Sequence, residues 1–304
     1  MQCRHCKNKV IHEKDHLCKD HFLNYYEKKA VDILCRIKYQ DQKFIVGVSG
    51  GKDSAAVAHI MSKHCPYVEL LYLDLGIPGY SDKSKIACEE LAQSLGKKLH
   101  VIDFATEHVT IAQAKRQTEC GKLNGVICGT CGLSKRYFLN KFAYEHGVTY
   151  VVTGHNLDDE LAFVFMNLRN SDIQTLSRGG SVSKADPDHK LVAKIKPLYY
   201  LTEKDNRLYC LVNKLPIHNA ECPYSANNVQ NKWKEHLSAL ERDFDHFKYN
   251  TLKTVRKLVR SLDQTKLNDG VEVSNCPSCG YATAGTRREC RFCTVQKGLK
   301  KNIV

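Results

Sequence analysis

The chain has 304 residues, 42% of them hydrophobic and 26% charged, a balance that excludes a largely disordered or fibrous protein. The length favours two domains, with small additional modules, over one core. Lysine and arginine number 46 against 33 aspartate and glutamate residues, which leaves a net charge of +13. Such a charge favours a polyanionic partner, although a generally basic enzyme without one also fits it.

The sequence has no stretch of about 18 apolar residues, and its first ten residues, MQCRHCKNKV, lack the apolar core of a signal peptide. We therefore expect a cytoplasmic protein without membrane contact. Fifteen cysteines in a reducing compartment do not predict a disulfide framework. Metal binding or redox chemistry is expected to account for many of them.

The first 22 residues carry metal ligands at the spacing CxxC, eleven residues, CxxH. Two such pairs facing each other predict a tetrahedral zinc site formed by Cys3, Cys6, Cys18 and His21. The neighbouring histidines His5, His12 and His16 compete with His21 for the fourth position. A helix is expected to follow over about 23–39, because its apolar residues recur at helical spacing.

From Lys43 onward, short apolar runs alternate with amphipathic segments. The predicted strands are Phe44–Val48, Val68–Leu75, Leu99–Phe104 and Tyr150–Thr153. Strands alternating with helices predict an α/β fold with a doubly wound parallel sheet. Ligands of such sheets bind at the carboxyl ends of the strands.

The part of the chain after this α/β region changes character twice. Residues 203–262 are expected to be mostly helical, with interruptions at 215–217 and 222–223. The final segment has the spacing CxxC, ten residues, CxxC, which is typical of a zinc ribbon. Its predicted ligands are Cys276, Cys279, Cys290 and Cys293. The predicted organisation is therefore a zinc finger (1–22), a catalytic domain (23–215), a helical part (216–270) and a zinc ribbon (271–304).

The hexapeptide SGGKDS directly follows the first predicted strand. It consists of Ser49, Gly50, Gly51, Lys52, Asp53 and Ser54. It is not a Walker A sequence, but glycines before a helix expose backbone N–H groups to phosphate in the same way. A simple tight turn would also need the glycine pair. With the whole hexapeptide, the sequence resembles the PP-loop ATP pyrophosphatase superfamily, whose members cleave ATP to AMP and pyrophosphate while adenylating an oxygen.

Four further motifs follow the phosphate loop: LDLGI at 73–77, CGTCG at 128–132, GHNLDD at 154–159 and CPY at 222–224. In this order, with metal sites at both ends, they resemble the tRNA 2-thiolation family, which includes the TtuA-like uridine thiolases and the cytosolic wobble-uridine thiolases. The resemblance covers almost the whole chain. It implies that ATP adenylates the C2 oxygen of a tRNA uridine, which sulfur then replaces.

The resemblance also implies a [4Fe–4S] cluster held by Cys128, Cys131 and Cys222. Three thiolates leave one iron open to an exogenous sulfide. Half of a third zinc site, a redox CxxC pair and persulfide or disulfide chemistry are the alternatives for these cysteines. The remaining cysteines are expected to be small buried thiols: Cys35, Cys65, Cys88, Cys120 and Cys210.

Two carboxylates and a lysine complete the predicted site. Asp158 and Asp159 follow the strand at 150–153, and carboxylates beside a triphosphate imply Mg²⁺, unless the pair only caps a helix. Lys135 is one helical turn after Cys131, so both are expected on one face. The resemblance matches Lys135 and Asp159 to catalytic residues, as it does Cys128 and Cys222. The expected nucleotide contacts beyond the phosphate loop are Asp74, Gly154, His155 and Asp158.

The partners follow from the same resemblance and from the charge. We expect tRNA, a sulfur donor that is either a thiocarboxylated carrier protein or sulfide, and a homodimer. The predicted RNA footprint comprises Lys248, Lys253, Arg256, Lys257, Arg260 and Lys266, with Arg287, Arg288, Arg291, Lys297, Lys300 and Lys301. The modified uridine, at position 34 or 54, stays open. The competing functions are a PP-loop amide synthetase and a non-catalytic zinc-ribbon RNA-binding protein.

Overall fold

A computed structural model describes residues 1–120, 127–225, 228–262, 273–285 and 287–301. The first half contains α1 (Lys19–Leu34), β1 (Phe44–Val48), α2 (Lys52–His64), β2 (Val68–Asp74), α3 (Ser81–Leu95), β3 (Leu99–Asp103), α4 (Phe104–Glu107), α5 (Ile111–Glu119) and α6 (Ile127–Glu145). The second half contains β4 (Tyr150–Val152), α7 (Leu157–Arg169), α8 (Ile173–Ser177), β5 (Val182–Ser183), β6 (Ala193–Ile195), α9 (Glu203–Val212), α10 (Val229–Asp243), α11 (Phe247–Ser261), β7 (Val273–Asn275), β8 (Ala282–Ala284) and α12 (Arg291–Lys301). Short 3-10 turns lie at Tyr39–Asp41 and Pro187–His189.

The main sheet has six strands in the order β3-β2-β1-β4-β6-β5. All neighbouring pairs are parallel except β5 with β6. The predicted doubly wound α/β fold is therefore confirmed. Strand order reverses between β1 and β4, and this switch point is where such sheets bind ligands at their carboxyl edge.

The central strands are buried on both faces. In β1, Phe44 and Val46 pack into a core with α1, α2 and α9, whereas Ile45 packs into a second core with α6. In β2, Leu70 and Leu71 divide between the two cores in the same way. Burial on both faces explains the continuous apolar runs of these strands, which is usual for parallel sheets.

The predicted helix after the amino-terminal cysteines begins earlier than expected. Cys18 is the N-cap of α1, so His21 lies in its first turn, and the helix ends at Leu34. The spacing of apolar residues did not indicate this earlier start, because the first turn of α1 consists of polar residues and a metal ligand. At the other end of the chain, β7 and β8 form an antiparallel hairpin whose module packs on α6, where Tyr137 and Phe292 stack with ring centroids 3.8 Å apart. None of the described helices is long and apolar enough to cross a membrane.

Candidate active site and metal centres

The phosphate loop joins β1 to α2 at the strand-order reversal. Gly50 has a φ of +76°, and a Cβ there would lie 2.9 Å from the backbone of Ser84, so only glycine fits. Ser54 Oγ donates to the carbonyl of Gly51 at 2.9 Å and accepts from the amide of Ser49 at 3.1 Å. These bonds hold the loop in shape at the amino terminus of α2, where backbone N–H groups attract anions.

Asp53 is fixed by side chains from three elements. Its Oδ1 accepts hydrogen bonds from Asn156 Nδ2 at 3.1 Å and from Asn206 Nδ2 at 2.7 Å. Its Oδ2 accepts one from Lys52 Nζ at 3.0 Å. Burial alone would lower the pKa of Lys52, but Asp53 and Glu203 raise it above its usual value. Lys52 therefore stays a cation beside the loop.

A second loop, from β4 to α7, meets the phosphate loop backbone to backbone. A Cβ at Gly154 would lie 2.8 Å from the carbonyl oxygen of Asp53, so the approach requires glycine. Next to it, Thr153 Oγ1 and His155 Nδ1 are 2.9 Å apart. Burial lowers the pKa of His155, which favours a neutral imidazole at this point.

These two loops form one wall of a cavity of about 400 Å³. The rest of its lining comes mainly from β2, the segment after β2, α3, α6 and the segment after α9. The cavity collects nine of the predicted site residues: Ser49, Asp53, Ser54, Cys131, Lys135, Gly154, His155, Asp159 and Cys222. Gly50, Gly51 and Lys52 adjoin it in the phosphate loop. The structure thus brings the phosphate loop and the cysteine motifs to one place.

The two adjacent aspartates point in different directions. Asp158 is buried, forms an ion pair with Lys248, and accepts from the amide of Glu203 at 2.8 Å. Asp159 faces the cavity, where its Oδ2 accepts from the amide of Asn156 at 3.1 Å in a helix-capping box. Asp159 therefore both caps the start of α7 and faces the cavity. Asp74 lies outside the cavity lining and accepts from the amide of Gly76 at 3.0 Å.

Helix α10 contributes two cavity-side groups that sequence reasoning missed. Gln230 Nε2 donates to Asp159 Oδ1 at 3.0 Å, and Lys234 Nζ lies 2.6 Å from the same oxygen. Lys234 also pairs with Glu203, which is 3.9 Å from Lys52. The spacing of four residues puts Gln230 and Lys234 on one face of α10. In the sequence, this four-residue spacing is the signal that could have indicated Gln230 and Lys234 as a pair.

The three cysteines of the expected cluster come from α6, which carries Cys128 and Cys131, and from the segment after α9, which carries Cys222. Burial raises the pKa of Cys128, charge on Cys131 and Cys222 raises it further, and Lys135 opposes this. Cys128 Sγ donates to the carbonyl of Tyr224 at 3.4 Å. Cys128 thus lies within electrostatic range of Cys131, Cys222 and Lys135. A set of three thiol donors beside a cavity fits a cluster with one open iron.

Comparison with known proteins agrees with this geometry. The profile of the PP-loop domain family matches residues 20–237. Across its full length the chain is 32% identical to a tRNA-5-methyluridine(54) 2-sulfurtransferase of Pyrococcus horikoshii, covering 96% of that protein. The chain belongs to the PP-loop family of tRNA 2-thiolation sulfurtransferases. The resemblance predicted from the motifs is confirmed.

Other members of this thiolation family match as broadly. The tRNA 2-thiolation protein NcsA of Haloferax volcanii is 30% identical over 96% of this chain and 98% of its own. Among solved structures, the U34-tRNA thiolase NcsA from Methanococcus maripaludis with its [4Fe-4S] cluster superposes with a TM-score of 0.80 at 25% identity. That alignment covers 98% of this chain and 96% of NcsA.

Two four-residue sets in this family member could each hold a metal ion, with their ligand atoms all within 4.8 Å of one another. The first set is Cys3, Cys6, Cys18 and His21, and the second is Cys276, Cys279, Cys290 and Cys293. His21 Nδ1 lies 3.2 Å from Cys18 Sγ, whereas His12 is engaged by Asp205 at 2.9 Å. Among the described residues, Cys128, Cys131 and Cys222 do not form a third set this tight, and a four-iron cluster is larger than a single ion.

Cysteine exposure corrects one expectation. All fifteen cysteines lie in the described ranges and are free thiols. Cys65, Cys88 and Cys210 are buried as predicted, but Cys35 and Cys120 are exposed because each follows the end of a helix at the surface.

The predicted RNA footprint also needs a correction. Lys248 is buried against Asp158, and Arg256 is buried with Nε donating to Tyr199 Oη at 2.7 Å. Neither can act as a freely solvated phosphate contact. Lys253, Lys257, Arg260, Arg287, Arg288, Arg291 and Lys297 are exposed. Lys266 and the side chains of Lys300 and Lys301 lie outside the described part of the chain.

Proposed function

We propose that this protein makes 2-thiouridine in tRNA by adenylating the C2 oxygen of a uridine and then replacing that oxygen with sulfur. One observation carries the proposal. A single cavity is lined both by the phosphate loop, with Ser49 and Ser54, and by Cys131, Lys135 and Cys222. Activation and sulfur delivery can therefore act on one base without its release.

The phosphate loop performs the activation step. Backbone amides at Gly50 and Gly51 and the ammonium of Lys52 bind the β- and γ-phosphates. The uracil C2 oxygen bonds to the α-phosphorus as the bond to the bridging oxygen breaks and pyrophosphate leaves. Asp159 is the carboxylate assigned to Mg²⁺, because Asp158 is turned away to Lys248. Mg²⁺ supplies charge neutralisation at the phosphates.

The cysteines and Lys135 act in the sulfur-transfer step. Cys128, Cys131 and Cys222 would hold the [4Fe–4S] cluster, which supplies an open iron position for sulfide. Lys135 lies one helical turn from Cys131 in the cavity lining. Its ammonium stabilises negative charge on the phosphate of AMP as the C2–O bond breaks. The new C2–S bond forms as AMP departs with the original uracil oxygen.

The remaining assignments complete the proposal. The two four-ligand sets hold zinc, which stabilises modules too small to fold on their own cores. The partners are tRNA and a sulfur donor, either a thiocarboxylated carrier or sulfide, and the protein acts as a cytoplasmic homodimer.

The test is reconstitution with tRNA, ATP and sulfide under anaerobic conditions. We expect tRNA-dependent pyrophosphate release and 2-thiouridine by mass spectrometry of digested tRNA. Substrates lacking the uridine at position 34 or at position 54 identify the modified nucleotide. Cys222→Ala should abolish thiouridine, whereas Cys35→Ala, an exposed thiol outside the cavity, should not. Pyrophosphate release that requires ammonia and a small carboxylate instead of tRNA would establish an amide synthetase.

A further inference from the structure

We infer that a second pocket, separate from the catalytic cavity, binds a phosphodiester of the RNA backbone. This arginine pocket has a volume of about 260 Å³ and is formed by the end of α1, the segment after α8, the residues after β6, and α11. Its lining is Arg36, Ser177, Gly179, Gly180, Ser181, Tyr199, Tyr200, Arg256, Val259 and Arg260. It shares no lining residue with the catalytic cavity.

Three arginines line this pocket, of which Arg36 and Arg260 are exposed and Arg256 is buried. Arg36 Nη1 donates to Ser181 Oγ at 3.0 Å, so one arginine is already aimed at a pocket hydroxyl. Arg256 is held rigidly, with Nη1 donating to the carbonyl of Leu176 at 2.8 Å. Arg260, one turn further along α11, is exposed at the rim. Guanidinium groups bind phosphate oxygens through paired N–H donors, which makes this combination suited to phosphate.

The pocket carries a net positive charge. Its described lining contains no carboxylate. The carboxylate found near it is Glu160, which lies 3.9 Å from Arg256 Nη2 and is itself paired with Lys196 at 2.6 Å. The charge of Glu160 is therefore shared between two cations, and Arg36 and Arg260 remain available for an anion.

Glycine keeps the pocket open. A Cβ at Gly179 would lie 2.0 Å from Arg256 Nη2, so any other residue would displace the guanidinium. The adjacent Ser181 places its carbonyl 2.8 Å from the amide of Lys196, the residue directly after β6. The pocket therefore lies at the carboxyl edge of the sheet, the edge that also carries the phosphate loop.

Position and charge favour a polymer phosphate over a free anion, and this choice rests on the proposed function. Exposed Lys253 and Lys257 lie on α11, the helix that also carries Arg256 and Arg260, so positive charge continues beyond the pocket. A free anion would need only the pocket, whereas an RNA strand can follow the extended charge. We assign the pocket as a backbone contact that positions tRNA while its uridine occupies the catalytic cavity.

The test removes the two exposed arginines without touching the buried one. Arg36→Gln/Arg260→Gln should weaken tRNA binding about tenfold at low salt and lower the slope of log Kd against log salt by about one to two, as expected when one or two phosphate contacts are lost. A matched control, Lys43→Gln/Lys98→Gln, removes the same charge from exposed residues beside the amino ends of β1 and β3. Its salt slope should stay at the wild-type value.

Other outcomes are separated by inorganic phosphate and by activity. Calorimetric binding of inorganic phosphate that is lost in Arg36→Gln/Arg260→Gln, with tRNA affinity unchanged, would assign the pocket to a free anion and overturn the RNA contact. Equal slopes in the two double variants would show that only overall charge matters and would also overturn it. A wild-type protein that binds tRNA with the expected salt slopes but never thiolates it would contradict the proposed function and leave the pocket standing.

Discussion

The ammonium of Lys234 lies 2.6 Å from Oδ1 of Asp159, so α10 delivers a cation to the carboxylate that α7 presents to the cavity. The pair belongs to a row of alternating charges that runs through Glu203 to Lys52. Burial would lower the pKa of Lys234, but Asp159 and Glu203 raise it well above its usual value. Both ends of the row are residues assigned to the handling of ATP phosphates.

Lys234→Ala should therefore impair activation. Without this cation, Asp159 loses the ion pair that positions it for Mg²⁺, and we expect tRNA-dependent pyrophosphate release to fall about tenfold, or roughly 1.4 kcal/mol. Lys234→Arg should retain most of the rate. Lys232→Ala, on an exposed position of the same helix, is the control and should change little. Equal rates for Lys234→Ala and Lys232→Ala would remove Lys234 from the mechanism.

Activation and sulfur transfer should fail separately. Lys52→Ala and Asp159→Ala should keep the iron–sulfur absorption but lose pyrophosphate release by about 100-fold or more, as is typical when a charge-stabilising group is removed. Cys222→Ala should still bind ATP and tRNA and release pyrophosphate, without forming thiouridine. Rapid-quench measurement of pyrophosphate and of modified nucleoside distinguishes the two steps. Loss of ATP binding in Cys222→Ala would show instead that the CPY segment also builds the nucleotide site.

Metal content gives an independent check of the three cysteine groups. Anaerobically purified protein should contain two zinc ions and four iron atoms per chain. Cys128→Ala should lose the iron absorption and keep both zinc ions, whereas Cys279→Ser should lose one zinc ion and keep the iron. Elemental analysis measures both. An iron-free protein with full thiolation activity would reject the cluster and favour persulfide chemistry.

How far the sequence predicted this site depended on whether a signal was local. The run Phe44–Val48 followed by SGG marks a buried strand and a phosphate loop within a few residues, and both are found where expected. Strand β6 has three residues with Lys194 at its centre, too short and too polar for periodicity to mark it. Its place in the sheet comes from pairing with β4, which is a tertiary contact.

Side-chain direction was also beyond the sequence. Asp158 and Asp159 are the same residue type at neighbouring positions, so the sequence does not distinguish them. Consecutive helical residues point about 100° apart, and the packing of α11 decides that Asp158 meets Lys248. Asn206 lies about 150 residues from Asp53 in the sequence and reaches it because α9 packs on α2. The sequence predicted the lysines and arginines of α11 as one RNA footprint, yet Lys248 and Arg256 are buried.

The contact between His12 and Asp205 ties the amino-terminal metal module to α9. Burial alone would raise the pKa of Asp205, but hydrogen bonds from His12 and Thr202 lower it below its usual value. Asp205→Asn should reduce stability by about 2 kcal/mol at pH 7, since a buried charged hydrogen bond is lost. A depressed pKa stabilises the fold above the unfolded value of 3.8 and loses that contribution as the pH falls through the folded value.

Urea unfolding of Asp205→Asn and wild type at several pH values measures this difference. The difference in the free energy of unfolding between the two proteins should be constant near neutral pH. It should become smaller only in the acid range, below the usual aspartate pKa. Asp186→Asn removes a partly exposed aspartate that also faces a histidine, His189 at 2.8 Å, and should have a much smaller effect. Equal effects of the two variants would mean that His12 contributes nothing beyond a surface contact.

Alkylation tests the assignment of the remaining thiols. Burial raises the pKa values of Cys65, Cys88 and Cys210 to about 12, so these thiols are both inaccessible and protonated at pH 8. The thiolate is the reactive form. Brief iodoacetamide treatment of metal-loaded protein should label Cys35 and Cys120 first, as read by peptide mass spectrometry. Early labelling of Cys210 in folded protein would contradict the packing of α9 on α2.

The close approach of Gly154 to Asp53 has a dynamic consequence. The two backbones approach so closely across the strand-order reversal that they cannot shift relative to each other. The loops after β1 and β4 therefore form a rigid part of the nucleotide site. Any movement on nucleotide binding is then expected in the segment after α9 and in α10, which supply Cys222 and Gln230 to the cavity. We expect hydrogen exchange to be slow in the two loops with or without ATP, and to slow on ATP addition mainly in residues 216–225 and 228–234.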